Sequence, residues 1–182
     1  MLFRSVVLSL TTLKQEIKSV MEPRTSSVKN VLQTISVLTK AGIPVHVNTA
    51  PIIPAINDEE IFDLVKAVAD AGALSASYIV VRLNGHNGGI FEDWVTKNFS
   101  DRATKVLNQI KTMHGGNLND SQYDRRMKGE GKFAEMIKQQ YVIARCKFMK
   151  GKTMPELDYT LFEDRKKHLL KQSNNEPQLS LF

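Results

Sequence analysis

The sequence predicts an α/β fold with a parallel sheet, and three observations carry that prediction. Three short runs are rich in branched apolar residues, helical periodicity fills the intervals between them, and each helix closes on an Ala-Gly pair, at Ala41-Gly42 and Ala71-Gly72. The first run, "FRSVVLSL" at residues 3–10, reads as a buried strand. The first helix opens near Ser26 or Ser27 and places Val28, Val31, Leu32, Ile35 and Leu38 on one face before Gly42 stops it. The second run is "PVHVNTAPII" at 44–53. The helix after it takes Asn57 as N-cap, with Glu60 three residues on in a capping-box pattern. It aligns Ile61, Leu64, Val65 and Val68, and ends at Gly72. The third run is "SASYIVVRL" at 75–83. Parallel strands joined by helices need right-handed crossovers, so residues 1–83 read as three consecutive strand–helix units of a parallel sheet or barrel. Such folds hold ligands at the C-terminal ends of their strands.

A chain of 182 residues is one domain's worth, and 42% hydrophobic with 24% charged residues is an ordinary globular composition. No run approaches the ~18 apolar residues of a membrane span. The opening "MLFRSVVLSLTTL" lacks the length and cleavage site of a signal peptide. A lone Cys146 excludes an internal disulfide and a multi-cysteine metal site, and fits a reducing, cytoplasmic compartment. Spacing places Cys146 in a helix around 131–149, where a small buried hydrophobe is expected. Residues 111–172 carry 14 basic and 8 acidic residues, so the positive surplus is concentrated in a C-terminal segment. That segment is either an electrostatic footprint for nucleic acid or a set of solvated helix faces.

The predicted strand ends are polar. Ser9, Thr11 and Thr12 follow the first strand, then Glu22 and Arg24 in "MEPRTSS". Asn48 and the prolines of "NTAPIIPAIND" follow the second. Arg82, Asn84 and the glycine-rich "NGHNGG" follow the third. A guanidinium can clamp a carboxylate or phosphate bidentately. The four histidines, at 46, 86, 114 and 168, have no metal-ligand spacing, and His46 reads as a hydrogen-bonded core residue. Phe91 and Trp94 stand at helical spacing and read as packing residues.

Several stretches carry a resemblance that spans almost the whole chain: "SLTTL", "MEPRTSS", "AGIPVHVNTAPIIPAIND", "YIVVRLNG", "LNQIKTMHGGNLNDSQYDRRMKGEGK" and "FMKGKTMPELDYTLF". Together they resemble the second half of a radical S-adenosylmethionine protein of the spore-photoproduct-lyase-like group. The resemblance implies that residues 1–83 match the last three strands of a six-stranded partial barrel, half of a TIM-type (β/α)6 architecture. It divides the chain into barrel half (1–114), basic loop and helical extension (115–172) and tail (173–182). Two departures stand out. Asp124 occupies a position where the resemblance would have a glycine, and the three-cysteine loop that holds a [4Fe–4S] cluster is absent, although thiolates are what such a cluster requires. The chain therefore reads as a fragment whose parent would use S-adenosylmethionine and [4Fe–4S] in lyase chemistry related to DNA repair. No cluster is expected in the chain itself. In that parent, the cluster would reduce the sulfonium of the cofactor to release a 5′-deoxyadenosyl radical.

Carried over residue by residue, the resemblance implies Arg24 for the methionyl carboxylate and Ser9, Thr11 and Asn48 for ribose or methionyl groups. Pro51 and Ile52 would form an adenine shelf. Arg82 either reaches the site or pairs with a loop carboxylate. Asp120, Ser121 and Arg126 are substrate-side candidates on a loop that could equally be an Ω-like structural element.

The tail ends "QLSLF", resembling the Gln-Leu-x-Leu-Phe peptide with which many bacterial replication and repair proteins dock on the polymerase sliding clamp. In that reading Leu181 and Phe182 fill an apolar pocket, Leu179 completes the motif, and the Gln178 amide orients the peptide. The alternative is a tail that docks on its own domain. Two functions thus stand side by side: the S-adenosylmethionine-binding part of a radical enzyme, inactive alone, or a non-catalytic module that binds nucleic acid or a sliding clamp. Loss of the strand that would flank residues 3–10 also predicts self-association through that edge.

Overall fold

The computed structural model describes residues 5–156, 160 and 162–166. Ser5–Met154 forms one compact unit, and the remaining described residues belong to a second. The tail residues Gln178, Leu179, Leu181 and Phe182 lie outside the described residues. The first unit is an α/β fold on a three-stranded, wholly parallel sheet: β1 (Val6–Ser9), β2 (Val45–Ile52) and β3 (Ser75–Val80), in that order. Around it lie α1 (Gln15–Met21), α2 (Val28–Lys40), a 3-10 turn (Asp58–Glu60), α3 (Ile61–Asp70), α4 (Asn87–Asn98), α5 (Ala103–Met113), α6 (Arg125–Lys128) and α7 (Gly131–Phe148). No helix among the described residues is long and apolar enough to cross a membrane.

The helices form where their signals put them. Ser27 caps α2, its hydroxyl accepting from Asn30 N at 3.2 Å. At the far end the amides of Gly42 and Ile43 return to the carbonyls of Thr39 and Leu38, a left-handed exit with Gly42 at φ 73°. In α3 the buried Ile61, Leu64, Val65 and Val68 share one face, each stabilising by about 1.5–3 kcal/mol on burial. Gly72 closes α3 at φ 105°, and a Cβ there would stand 2.8 Å from Thr39 Cγ2, so α2 packs where only glycine leaves room. The helix α7 lies against α3 through Phe62 and Phe148, edge to face with centroids 6.4 Å apart. Lys152 donates to Ala69 O, a carbonyl in the last turn of α3 that also accepts from Gly72 N. The glycines of "NGHNGG" extend less far as a loop than the sequence suggests, because Gly88 and Gly89 fall in the first turn of α4. The short α1 was not foreseen. It has no side-chain cap, and at seven residues it is too brief for periodicity to declare.

The two faces of the sheet differ. Val45, Val47 and Thr49 of β2 are buried beneath α2 and α3, together with Ala76 of β3. The opposite face carries Val7, Ser9, His46, Asn48 and Ser77, none of them fully buried. The first strand is therefore not the buried strand expected from its apolar run. Its residues alternate in exposure, and Val7 is 62% exposed on an edge that pairs only with β2 among the described residues.

Candidate functional site

The C-terminal ends of β1 and β2 are tied by two buried polar side chains. Asn57 Oδ1 accepts from Ile53 N at 2.7 Å, while its Nδ2 donates to Thr11 O at 2.7 Å and Pro51 O at 3.0 Å. Glu60 accepts from Thr12 Oγ1 and from Leu13 N, each at 2.7 Å. The expected capping box is thus not formed: neither side chain caps its own helix. Both reach across 46 to 48 residues to the loop after β1. A buried amide or carboxylate needs partners for every polar atom it hides, and the segments after β1 and at the end of β2 supply them together.

Above this tie lies a cleft of about 410 Å³. Met21 and Glu22, at the C-terminal end of α1, form one side, and Pro51, Ile53 and Val81 from the ends of β2 and β3 form the floor. The other wall is α4, through Asn87, Ile90, Phe91 and Trp94. The Phe91 and Trp94 rings lie 5.4 Å apart, and Trp94 meets Phe99 at the same distance. The Ala50–Pro51 peptide at the floor is cis. Glu22 is held from behind by Lys18, which is almost completely buried. The cleft is thus apolar and aromatic with a carboxylate at its rim, the make-up of a site for a flat, partly polar small molecule.

A second polar feature runs across the open face of the sheet. Ser9 registers with Asn48 and Asn48 with Ser77. Ser77 Oγ lies 3.3 Å from Asn48 Oδ1 and 2.8 Å from His46 Nε2. Burial, and secondarily the charge of Arg145, hold the His46 pKa below its ordinary value, which favours the neutral ring. Beside this row β3 and α7 enclose a groove of about 720 Å³ lined by Ser77, Tyr78, Tyr141, Arg145 and Cys146 among others. The Tyr141 ring stacks at 4.5 Å on Tyr78, and burial pushes its hydroxyl up to about 12.

The loop from His114 to Glu130 is organised around Asp120. Arg125 donates to its carboxylate from Nε at 2.6 Å and Nη2 at 3.3 Å, Gln122 N donates at 2.9 Å, and His114 Nδ1 lies 3.2 Å away. The Arg125 contact, reinforced by Gln122 and His114, holds the Asp120 carboxyl far below the usual carboxylate range. His114 Nε2 continues the chain to Val81 O at 3.1 Å, and Arg125 Nη1 to Glu130 at 3.0 Å.

The sequence-derived candidates separate accordingly. Pro51 lines the cleft, while Ser9 and Asn48 meet on the open face. Thr11 is fully buried, its carbonyl taken by Asn57 and its hydroxyl without a hydrogen bond. Ile52 is a core residue with no exposed surface. Arg24 is exposed and does not line the cleft. Arg82 pairs with neither cleft nor carboxylate: its Nη1 reaches Met127 Sδ at 3.3 Å, and the Asn84 amide, with its oxygen toward the guanidinium, accepts at 3.1 and 3.2 Å. Asp120 is internal to its own loop, Ser121 is exposed, and Arg126 lies 5.8 Å from the Tyr123 ring centroid. Sequence reasoning missed Ser77 and the cleft roles of Phe91, Trp94 and Ile90. No local signal marks them: Phe91 and Trp94 at helical spacing read as packing residues, and the 67% exposure of Ile90 is visible only in the fold. Cys146 corrects an expectation outright: it is exposed on α7, not buried.

A [4Fe–4S] cluster needs several thiolates, and one exposed thiol does not fit that requirement. Among the described residues no group of three or more His, Cys, Asp or Glu is placed to hold a metal ion. No protein-family model, no curated protein and no solved structure matches the chain.

Proposed function

We propose that this chain is the S-adenosylmethionine-binding part of a radical enzyme of the spore-photoproduct-lyase-like kind, with its sheet forming half of a partial barrel. In this reading the cluster-holding thiolates come from polypeptide other than these 182 residues. The observation that carries it is the cleft over the strand ends, where a parallel α/β fold collects its ligands. Its size and its walls of Pro51, Ile53, Phe91 and Trp94 suit an adenine ring, and Glu22 and Asn87 offer polar contacts to a nucleoside. When bound, the cofactor supplies the radical precursor. The residues of this chain bind it, orient it and exclude water from one side. Separated from its thiolates, the chain is inactive, and its basic 111–172 segment would bring the whole enzyme to a polyanionic DNA substrate.

Trp94 is the only tryptophan in the chain and it lines the cleft, so its emission reports on occupancy. Titration with S-adenosylmethionine is expected to change that emission saturably. Unchanged emission and no heat of binding by calorimetry would overturn the reading. The second reading, a non-catalytic module that binds nucleic acid or a sliding clamp, draws on the same basic segment and on "QLSLF", and it expects no response to the nucleoside.

A further inference from the structure

We infer that the strand-end cleft selects a positively charged ligand and that Glu22 sets this preference. The inference rests on the S-adenosylmethionine reading and deepens it, because that cofactor carries a sulfonium cation. Nine residues line the cleft, and Glu22 is the single charged one among them. Its side chain is 25% exposed, whereas the Lys18 side chain behind it is 3% exposed. Lys18 does not line the cleft, so a ligand there meets the carboxylate directly and the ammonium only beyond it. Lys18 and Thr25 both bond to Oε2, leaving Oε1 with no hydrogen bond from the described residues. Glu22 is thus fixed by one oxygen and open at the other.

The same cleft is lined by the Phe91 and Trp94 rings, inclined at 39° to one another. Ring faces attract cations through their quadrupole, most strongly for tryptophan. Apolar walls also keep water out, which lengthens the reach of the carboxylate charge. A neutral ligand of the same outline fills the apolar walls equally well but draws nothing from Glu22. A ligand that brings negative charge to this rim is repelled. The cleft therefore distinguishes a sulfonium from the corresponding thioether by charge and not by shape.

The test is calorimetric titration of the full chain with S-adenosylmethionine and with S-adenosylhomocysteine, which differ by one methyl group and one positive charge. The sulfonium is expected to bind about tenfold more tightly. In Glu22→Gln, which keeps the side-chain outline, the two affinities should converge. Equal affinities in the wild-type protein would overturn the inference while leaving the cofactor reading standing. A preference retained in Glu22→Gln would remove Glu22 from the role. Failure of both ligands to bind would overturn the cofactor reading and the inference with it. The wild-type comparison decides the matter even where Glu22→Gln melts early, as checked by circular dichroism.

Discussion

Asp124 sits at φ 67° and ψ −48°, and the amide of Arg125 bonds back to the carbonyl of Tyr123 at 2.9 Å. That is a γ-turn of the positive-φ kind, a strained conformation for any residue with a Cβ. The turn aims Arg125 at Asp120, so the strain is tolerated because a buried ion pair depends on it. Asp124→Gly should relieve it and raise unfolding stability by about 1 kcal/mol. Urea unfolding measures this, and an unchanged or lower midpoint would show that the turn is relaxed with aspartate in place. The position was legible in the sequence, where the resemblance would have a glycine and aspartate stands instead. Asn57 and Glu60 were legible only as polar residues before a helix. Local pattern assigns such residues to caps, and nothing local reveals that Thr11, Thr12 and Leu13 will be brought within reach.

At the scale of elements, the strands and the two long helices of the first 83 residues followed from apolar runs and from Gly42 and Gly72, because those signals are local and physically strong. The exposure of β1 was not legible. Five of the eight residues at 3–10 are large and apolar, and only pairing decides whether a second sheet face is covered. A parallel strand with one edge open among the described residues and an outward Val7 is a template for another chain. Self-association through β1 is therefore expected as concentration rises. Val7→Lys should shift the protein toward monomer in light scattering with little change in its melting temperature. Equal association of both proteins would place the contact elsewhere.

Across the whole molecule, the His114–Asp120–Arg125 chain fastens the loop that follows α5 to the end of β3 through Val81 O, and it sets an acid limit on stability. Asp120 titrates lower in the folded state than its ordinary value of 3.8. Its contribution is therefore complete well above that pH and is lost as pH falls below it. His46, also lowered from 6.5, has the same sign, whereas Asp58, pushed upward by burial, works in the opposite direction. The stability difference between the wild type and Asp120→Asn should be largest near neutrality and shrink below about pH 4. A difference that is constant from pH 7 to 3 would mean that the carboxylate is not stabilised by its partners. The candidate site was only partly legible at this scale. Strand-end position identified Pro51, Ser9 and Asn48, but the aromatic wall comes from α4, whose placement depends on packing and not on spacing. The tie made by Asn57 and Glu60 carries a consequence for engineering and for descent alike. Because each side chain is anchored in one loop and satisfied by another, the loops after β1 and β2 are not interchangeable parts. A graft that replaces either one alone would strand half of a buried hydrogen-bond set, so the two can be exchanged with a relative only as a pair.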